Sequence, residues 1–114
     1  MFVGVVYAVT YTSNVLYYKV SSYELNLEGL PVGGVTESSP TLVNSNSVIK
    51  LTATLKRDTI PLSGFTIVFY KSVNSGVWTN IGSNKTIESG ITTWTYTVVE
   101  SDNDTLRFKA EYVL

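Results

Sequence analysis

Val48-Ile-Lys-Leu-Thr-Ala-Thr-Leu55 alternates without a break: Ile49, Leu51, Ala53 and Leu55 fall on one side, Lys50, Thr52 and Thr54 on the other. A period of two sends successive side chains to opposite faces of a pleated strand, so this stretch reads as a strand with one face in a core. Working outward, Lys56-Arg-Asp-Thr59 is a polar break and Pro61-Leu-Ser-Gly64 has turn chemistry. Phe65-Thr-Ile-Val-Phe-Tyr70 follows, with Phe65, Ile67 and Phe69 on the expected core face. Asn74-Ser-Gly76 makes a hairpin into Val77-Trp-Thr-Asn-Ile81.

Beyond the turn at Glu88-Ser-Gly90, Thr92, Trp94, Tyr96 and Val98 share one face of a strand, and Thr93, Thr95 and Thr97 the other. Ser101-Asp-Asn-Asp104 breaks the chain again. Leu106, Phe108, Ala110 and Tyr112 then alternate with Arg107, Lys109 and Glu111, the cleanest inside/outside pattern in the protein. Upstream, Pro40-Thr-Leu-Val43 is expected as a short edge strand, since Pro is tolerated at a strand start. Residues 2–12 and 15–27 read as two longer strands around Ser13-Asn14, and Leu30 to Pro40 as a loop. No stretch holds a 3.6-residue stripe. Short strands with turn signals every 8–12 residues indicate an all-β sandwich.

Composition narrows the chemistry. The 114 residues suffice for one domain with a core of its own. Cys and His are both absent, which removes disulfides, thiol nucleophiles and the commonest general base and metal ligand. Eight Lys and Arg against nine Asp and Glu leave a net charge of -1, with no electrostatic footprint for nucleic acid or anionic membrane. Only 15% of residues are charged, where about 25% is usual, and Thr, Ser and Tyr hold the polar positions. Two readings follow: Thr-rich outer faces of a β-protein, or a surface covered by neighbours in an assembly. No apolar stretch reaches the ~20 residues needed to span a bilayer. Residues 2–9 are apolar but lack a preceding Lys or Arg and a following small-x-small site, so they are expected to be part of the folded chain rather than a signal peptide.

In order and spacing, these strands resemble the bacterial Ig-like repeat domains of invasin- and intimin-type adhesins and of phage virion proteins. The resemblance runs from Pro40 to Tyr112, about two thirds of the chain. It is carried by Val48–Leu55, by Pro61–Gly64 with Thr66–Phe69, by Trp78-Thr-Asn-Ile-Gly82, by Gly90–Tyr96 and by Leu106–Tyr112. It implies an immunoglobulin-like β-sandwich used in display or adhesion at a cell surface or in a virion, and no particular ligand. Two departures stand out. The family continues past the equivalent of Tyr112 into a closing strand, and it commonly has an aromatic residue where Leu106 stands.

The reading therefore divides the chain into an N-terminal β-rich extension, residues 1–35, and an Ig-like core, residues 36–114. Without a closing strand, Leu106, Phe108, Ala110 and Tyr112 would lie on an open acceptor edge. The expected filler is the uncharged segment from Phe2 to Val9, with Val3, Val5, Tyr7 and Val9 on one face and Phe2, Val6 and Ala8 on the other. It would pair within its own subunit or be donated to a neighbour; the sequence leaves both open.

Other constellations carry less. Asp102-Asn-Asp104 with Glu100 has oxygen ligands at calcium-loop spacing, but Asp and Asn favour such turns anyway. Trp78, Trp94, Tyr17, Tyr18 and Tyr23 are candidates for a glycan platform, with Trp94 on the core face by alternation. Asn84-Lys-Thr86 and Asn103-Asp-Thr105 match the glycosylation tripeptide, at a frequency this composition gives by chance. No nucleophile has a base beside it in the sequence. The expectation is a non-enzymatic structural subunit or decorating module of an extracellular or virion assembly, a homo-oligomer or part of a larger one, without cofactor. The alternative is an adhesin-type module binding glycan or protein through loops and exposed aromatics.

Overall fold

The computed structural model describes Gly4, residues 8–99, Asp102 and residues 105–112. Among them the chain forms seven strands and no helix: β1 (Tyr23–Leu30), β2 (Val48–Arg57), β3 (Ile60–Pro61), β4 (Thr66–Val73), β5 (Thr79–Lys85), β6 (Ile91–Thr97) and β7 (Leu106–Tyr112). They make two antiparallel sheets. In the first, β2 is central. β1 pairs along it from Tyr23↔Arg57 to Leu30↔Lys50, while β6 (Val48↔Thr97 to Thr54↔Ile91) and the short β3 pair with it as well. In the second, β4 lies between β5 and β7.

The alternation in β2 decides how the sheets face each other. Ile49, Leu51, Ala53 and Leu55 are all buried, and they meet Ile67 and Phe69 of β4 across the sandwich. Trp94 of β6 stacks on Phe69 with ring centroids 6.3 Å apart, as its parity predicts. Leu25 and Leu27 of β1 and all four inward residues of β7 pack at the margins of this core, where they are only half-buried.

Three expectations need correction. The strand read over residues 15–27 begins only at Tyr23 and continues to Leu30, and residues 8–22 are exposed and outside any strand. Apolar alternation is a local property, but a ladder also needs a partner, and β2 stops being one where Asp58 and Thr59 turn the chain at φ 50° and 73°. Tyr23–Leu30, assigned to the N-terminal extension, is thus an integral strand of the first sheet. Pro40-Thr-Leu-Val43 forms no strand; Thr41 Oγ1 donates instead to the Val32 carbonyl at 2.6 Å, and Leu42 is exposed. The strand expected over Val77–Ile81 starts two residues later, at Thr79, because Trp78 turns onto the sheet face.

Candidate functional site

β7 ends its sheet: among the described residues it pairs with β4 alone, from Ile67↔Tyr112 to Val73↔Leu106. Its other contacts hold it firmly. On the inner face Phe108 meets Tyr96 edge-on at 5.3 Å, and Tyr112 packs against Tyr23 at 5.2 Å and Phe65 at 5.5 Å. Burial, and then the neighbouring Tyr23, push the Tyr112 phenol above its usual range. At the start of the strand, Asn74 N–H donates to the Thr105 carbonyl at 2.8 Å, and Thr105 N–H donates to Asn74 Oδ1 at 3.0 Å.

On the outer face the cations of β7 lean inward across the sheet. Arg107 lies 4.6 Å and Lys109 4.7 Å from the ring centre of Trp78, just before β5, and Lys109 also lies 5.3 Å from that of Tyr70 on β4. Lys109 pairs with Glu111 at 2.9 Å. Because the strand order is β5-β4-β7, both cations are drawn away from the free edge. Charged side chains, Lys above all, ordinarily guard such an edge against pairing. Here they are engaged elsewhere.

The opposite edge is treated differently. β5 carries a register irregularity opposite Phe69/Tyr70, and its Asn side chains bond its own backbone: Gly82 N–H to Asn80 Oδ1 at 2.8 Å, Lys85 N–H to Asn84 Oδ1 at 2.9 Å. A bulge and self-satisfied amides blunt an edge. Gly82 sits there at φ 153°, and a Cβ would fall 2.1 Å from the Trp94 ring. So among the described residues one edge of this sheet is interrupted by a bulge, while β7 at the other edge has β4 as its only partner strand.

The turn leading into β7 is anchored by a cluster that sequence reading missed. Lys71, at an inward position of β4, donates to Tyr96 Oη at 2.7 Å and to Asp102 Oδ1 at 3.0 Å. Asp102 Oδ2 accepts from the Tyr96 hydroxyl and from Val99 N–H. Burial opposes ionisation of Asp102, but bonds from Tyr96, Val99 and Lys71 outweigh it and hold the carboxyl below its usual range. The bonds to Tyr96 and Asp102 raise Lys71, which stays an ammonium, while burial and then Asp102 raise Tyr96. A protonated Lys, a neutral Tyr and a carboxylate with both oxygens engaged supply neither nucleophile nor base; the cluster ties β4, β6 and the turn before β7 together. Asp102 is thereby turned inward rather than toward a calcium loop. Glu100, Asn103 and Asp104 lie outside the described residues. The parity of Lys71 with Ile67 and Phe69 was the available signal.

Of the assembly strand expected from sequence, Phe2, Val3, Val5, Val6 and Tyr7 lie outside the described residues. Val9 is exposed and in no strand. The residues expected on the acceptor edge, Leu106, Phe108, Ala110 and Tyr112, share the core-facing side of β7. The aromatic candidates scatter: Trp94 packs in the core, Trp78 is half-buried beneath two cations, and Tyr17 and Tyr18 are exposed at 88% and 85% before β1. A shallow hollow of about 260 Å³ on the outer face of the first sheet is lined by Glu24, Asn26, Glu28, Thr54 and Lys56. It falls below the size and apolar character of a small-molecule site. Comparison with protein-family models, curated proteins and solved structures finds no match.

Proposed function

We propose that this chain is a non-enzymatic structural subunit or decorating module of an extracellular or virion assembly, and that it associates by pairing a strand with the outer edge of β7. The observation that carries this reading is the contrast between the two edges of one sheet. β5 is blunted by a bulge and by Asn side chains, whereas β7 pairs with β4 without a register shift, is pinned on both faces, and has its cations drawn off over Trp78 and Tyr70. A strand added there gains main-chain hydrogen bonds for affinity and side-chain alternation for register. It would also cover the half-buried inner residues of β1 and β7 at the flank where Tyr23 meets Tyr112. The relationship to bacterial Ig-like repeats belongs to the same proposal, and the succession of strands from β2 to β7 supports it.

The alternative, an adhesin-type module binding glycan or protein through loops and exposed aromatics, finds no sheet-face platform in Trp78 or Trp94, and its exposed rings are Tyr11, Tyr17 and Tyr18. The test is solution mass over a concentration series, with amide exchange followed along residues 106–112. An associated species in which alternate β7 amides are protected more strongly than in the monomer is expected. A protein that stays monomeric throughout, or associates with β7 exchange unchanged, refutes it.

A further inference from the structure

Residues 8–22 form an arm of unusual character. Val9, Tyr11, Val15, Leu16, Tyr17, Tyr18 and Val20 are all between 65% and 91% exposed, and Lys19 is the only charge. Each tyrosine brings about 150–250 Å² to bury, so the three together match or exceed the ~300–600 Å² of the largest apolar patch a soluble monomer ordinarily leaves exposed. No hydrogen bond joins residues 8–20 to the sandwich among the described residues. The radius of gyration is 24.9 Å, against about 13 Å for a compact chain of this length. The arm stands off the sandwich.

Its root decides where it points. Ser22 N–H donates to Asp58 Oδ1 at 3.1 Å, and Asp58 N–H donates to the Ser22 carbonyl at 3.1 Å, which extends the β1–β2 ladder one pair beyond Tyr23↔Arg57. Hydrogen bonding from Ser22, with a smaller contribution from Ser21, holds the Asp58 carboxyl below its usual range. Tyr23 lies beside Tyr112, at the C-terminal end of β7. Traced backward from Tyr23, the chain therefore continues past that end of the sandwich, while the free edge of β7 runs the other way. For residues 15–20 to reach their own β7 the chain must reverse sharply within a residue or two of Ser22, which its two bonds to Asp58 hold in line with β1. A second molecule imposes no such condition.

The arm also has a strand of fitting pattern. Val15-Leu-Tyr-Tyr-Lys-Val20 contains no Gly or Pro; Leu16, Tyr18 and Val20 share one face, and Val15, Tyr17 and Lys19 the other. Laid on β7 with the all-apolar face inward, it covers Leu106, Phe108, Ala110 and Tyr112 together with Leu25 and Leu27 of β1, and it puts Lys19 on the same face as Glu111. We infer that residues 15–20 of one copy form the strand that pairs with β7 of a second copy. Such an arm-to-edge contact is heterologous and builds a ring or a filament, unless two copies exchange arms reciprocally. This inference rests on β7 as the acceptor edge and differs from a donor at Phe2–Val9.

The native absence of Cys makes the test clean. Full-length Tyr18→Cys protein is mixed with proteins carrying a single Cys at Leu106, Phe108, Ala110 or Tyr112, and disulfide-linked dimers are scored under mild oxidation. Dimers between differently tagged chains at one or two adjacent β7 positions are expected, and the L16D/Y18D variant should weaken association at least about tenfold. That variant lies on the exposed arm, so its melting temperature should match that of the unaltered protein measured as monomer. A chain carrying both the Tyr18→Cys and a β7 cysteine is oxidised in parallel at low concentration, and crosslinking confined to that doubly substituted chain overturns donation between copies. Association that protects β7 amides but yields no crosslink to residue 18, and is unmoved by L16D/Y18D, overturns the arm as donor and leaves the β7 edge standing. A monomer at all concentrations overturns both.

Discussion

Replacing Asp102 by Asn removes a charge from the cluster while keeping its shape. The Asp102 side chain is 1% exposed and that of its partner Lys71 22%. Both carboxylate oxygens accept, Oδ1 from Lys71 and Oδ2 from Tyr96 and Val99 N–H. An amide has one acceptor oxygen and one NH2, so whichever way it turns, a donor meets either the ammonium or the Val99 amide. The loss is one charge-assisted bond, about 1.5–3 kcal/mol, plus the cost of a partly desolvated ammonium without its counter-charge. Together these come to about 2–4 kcal/mol, from a total of about 5–13 kcal/mol for the sandwich. At roughly 4–8 °C per kcal/mol the melting temperature should fall by about 8–32 °C. Thermal melts followed by tryptophan fluorescence at pH 7, with urea titrations to check that the m-value is unchanged, measure it. The pH dependence supplies a second readout. The carboxyl of Asp102 is depressed in the folded state, so its contribution is present above the unfolded value near 3.9 and is lost as pH falls through the folded one. Lys71 is raised, so its contribution holds below its ordinary 10.5 and is lost as pH rises through the folded value. D102N should flatten the acid limb. A drop under about 2 °C, or an acid limb like that of the unaltered protein, would refute a stabilising role for the cluster.

Three further substitutions test the rest of the site. Gly82→Ala places a methyl 2.1 Å from the Trp94 ring, which Phe69 backs from within, at a φ that L-residues avoid; the overpacking should cost about 2–4 kcal/mol in urea melts. Thr92→Val should stabilise by about 1 kcal/mol, because the Thr92 hydroxyl is buried without a partner among the described residues and Val fills nearly the same space; a lower denaturation midpoint refutes this. Trp78→Ala removes the ring beneath Arg107 and Lys109, at about 1–2 kcal/mol. It should also weaken self-association in sedimentation, because the released cations can then guard the β7 edge.

Parts of the site were legible in advance because they depend on parity alone. The inward set of β7 and the burial of Trp94 follow from counting by twos along the chain. Lys71 was legible in the same way, as a charge at an inward position, but its partner Asp102 comes from a segment that reads only as a polar turn. Arg107 and Lys109 were placed on the outer face correctly, yet nothing local says that they lean toward Trp78, some thirty residues earlier. The onset of β1 was misplaced because residues 15–20 carry strand-type residues without Gly or Pro just as residues 23–28 do, and only the latter lie opposite β2.

By itself the sequence determined the all-β class, the faces of the principal strands and the exclusion of thiol and imidazole chemistry, because side-chain periodicity and residue type are properties of the chain alone. The tertiary structure decided which strand ends a sheet, which edge is blunted and where the apolar arm leaves the sandwich. Those features depend on which backbone groups find a partner, and a partner is supplied by segments far apart in the chain. Val15–Val20 shows the difference: its pattern is that of a strand, but the chain turn at Asp58, where β2 ends, leaves it exposed and without a partner strand among the described residues.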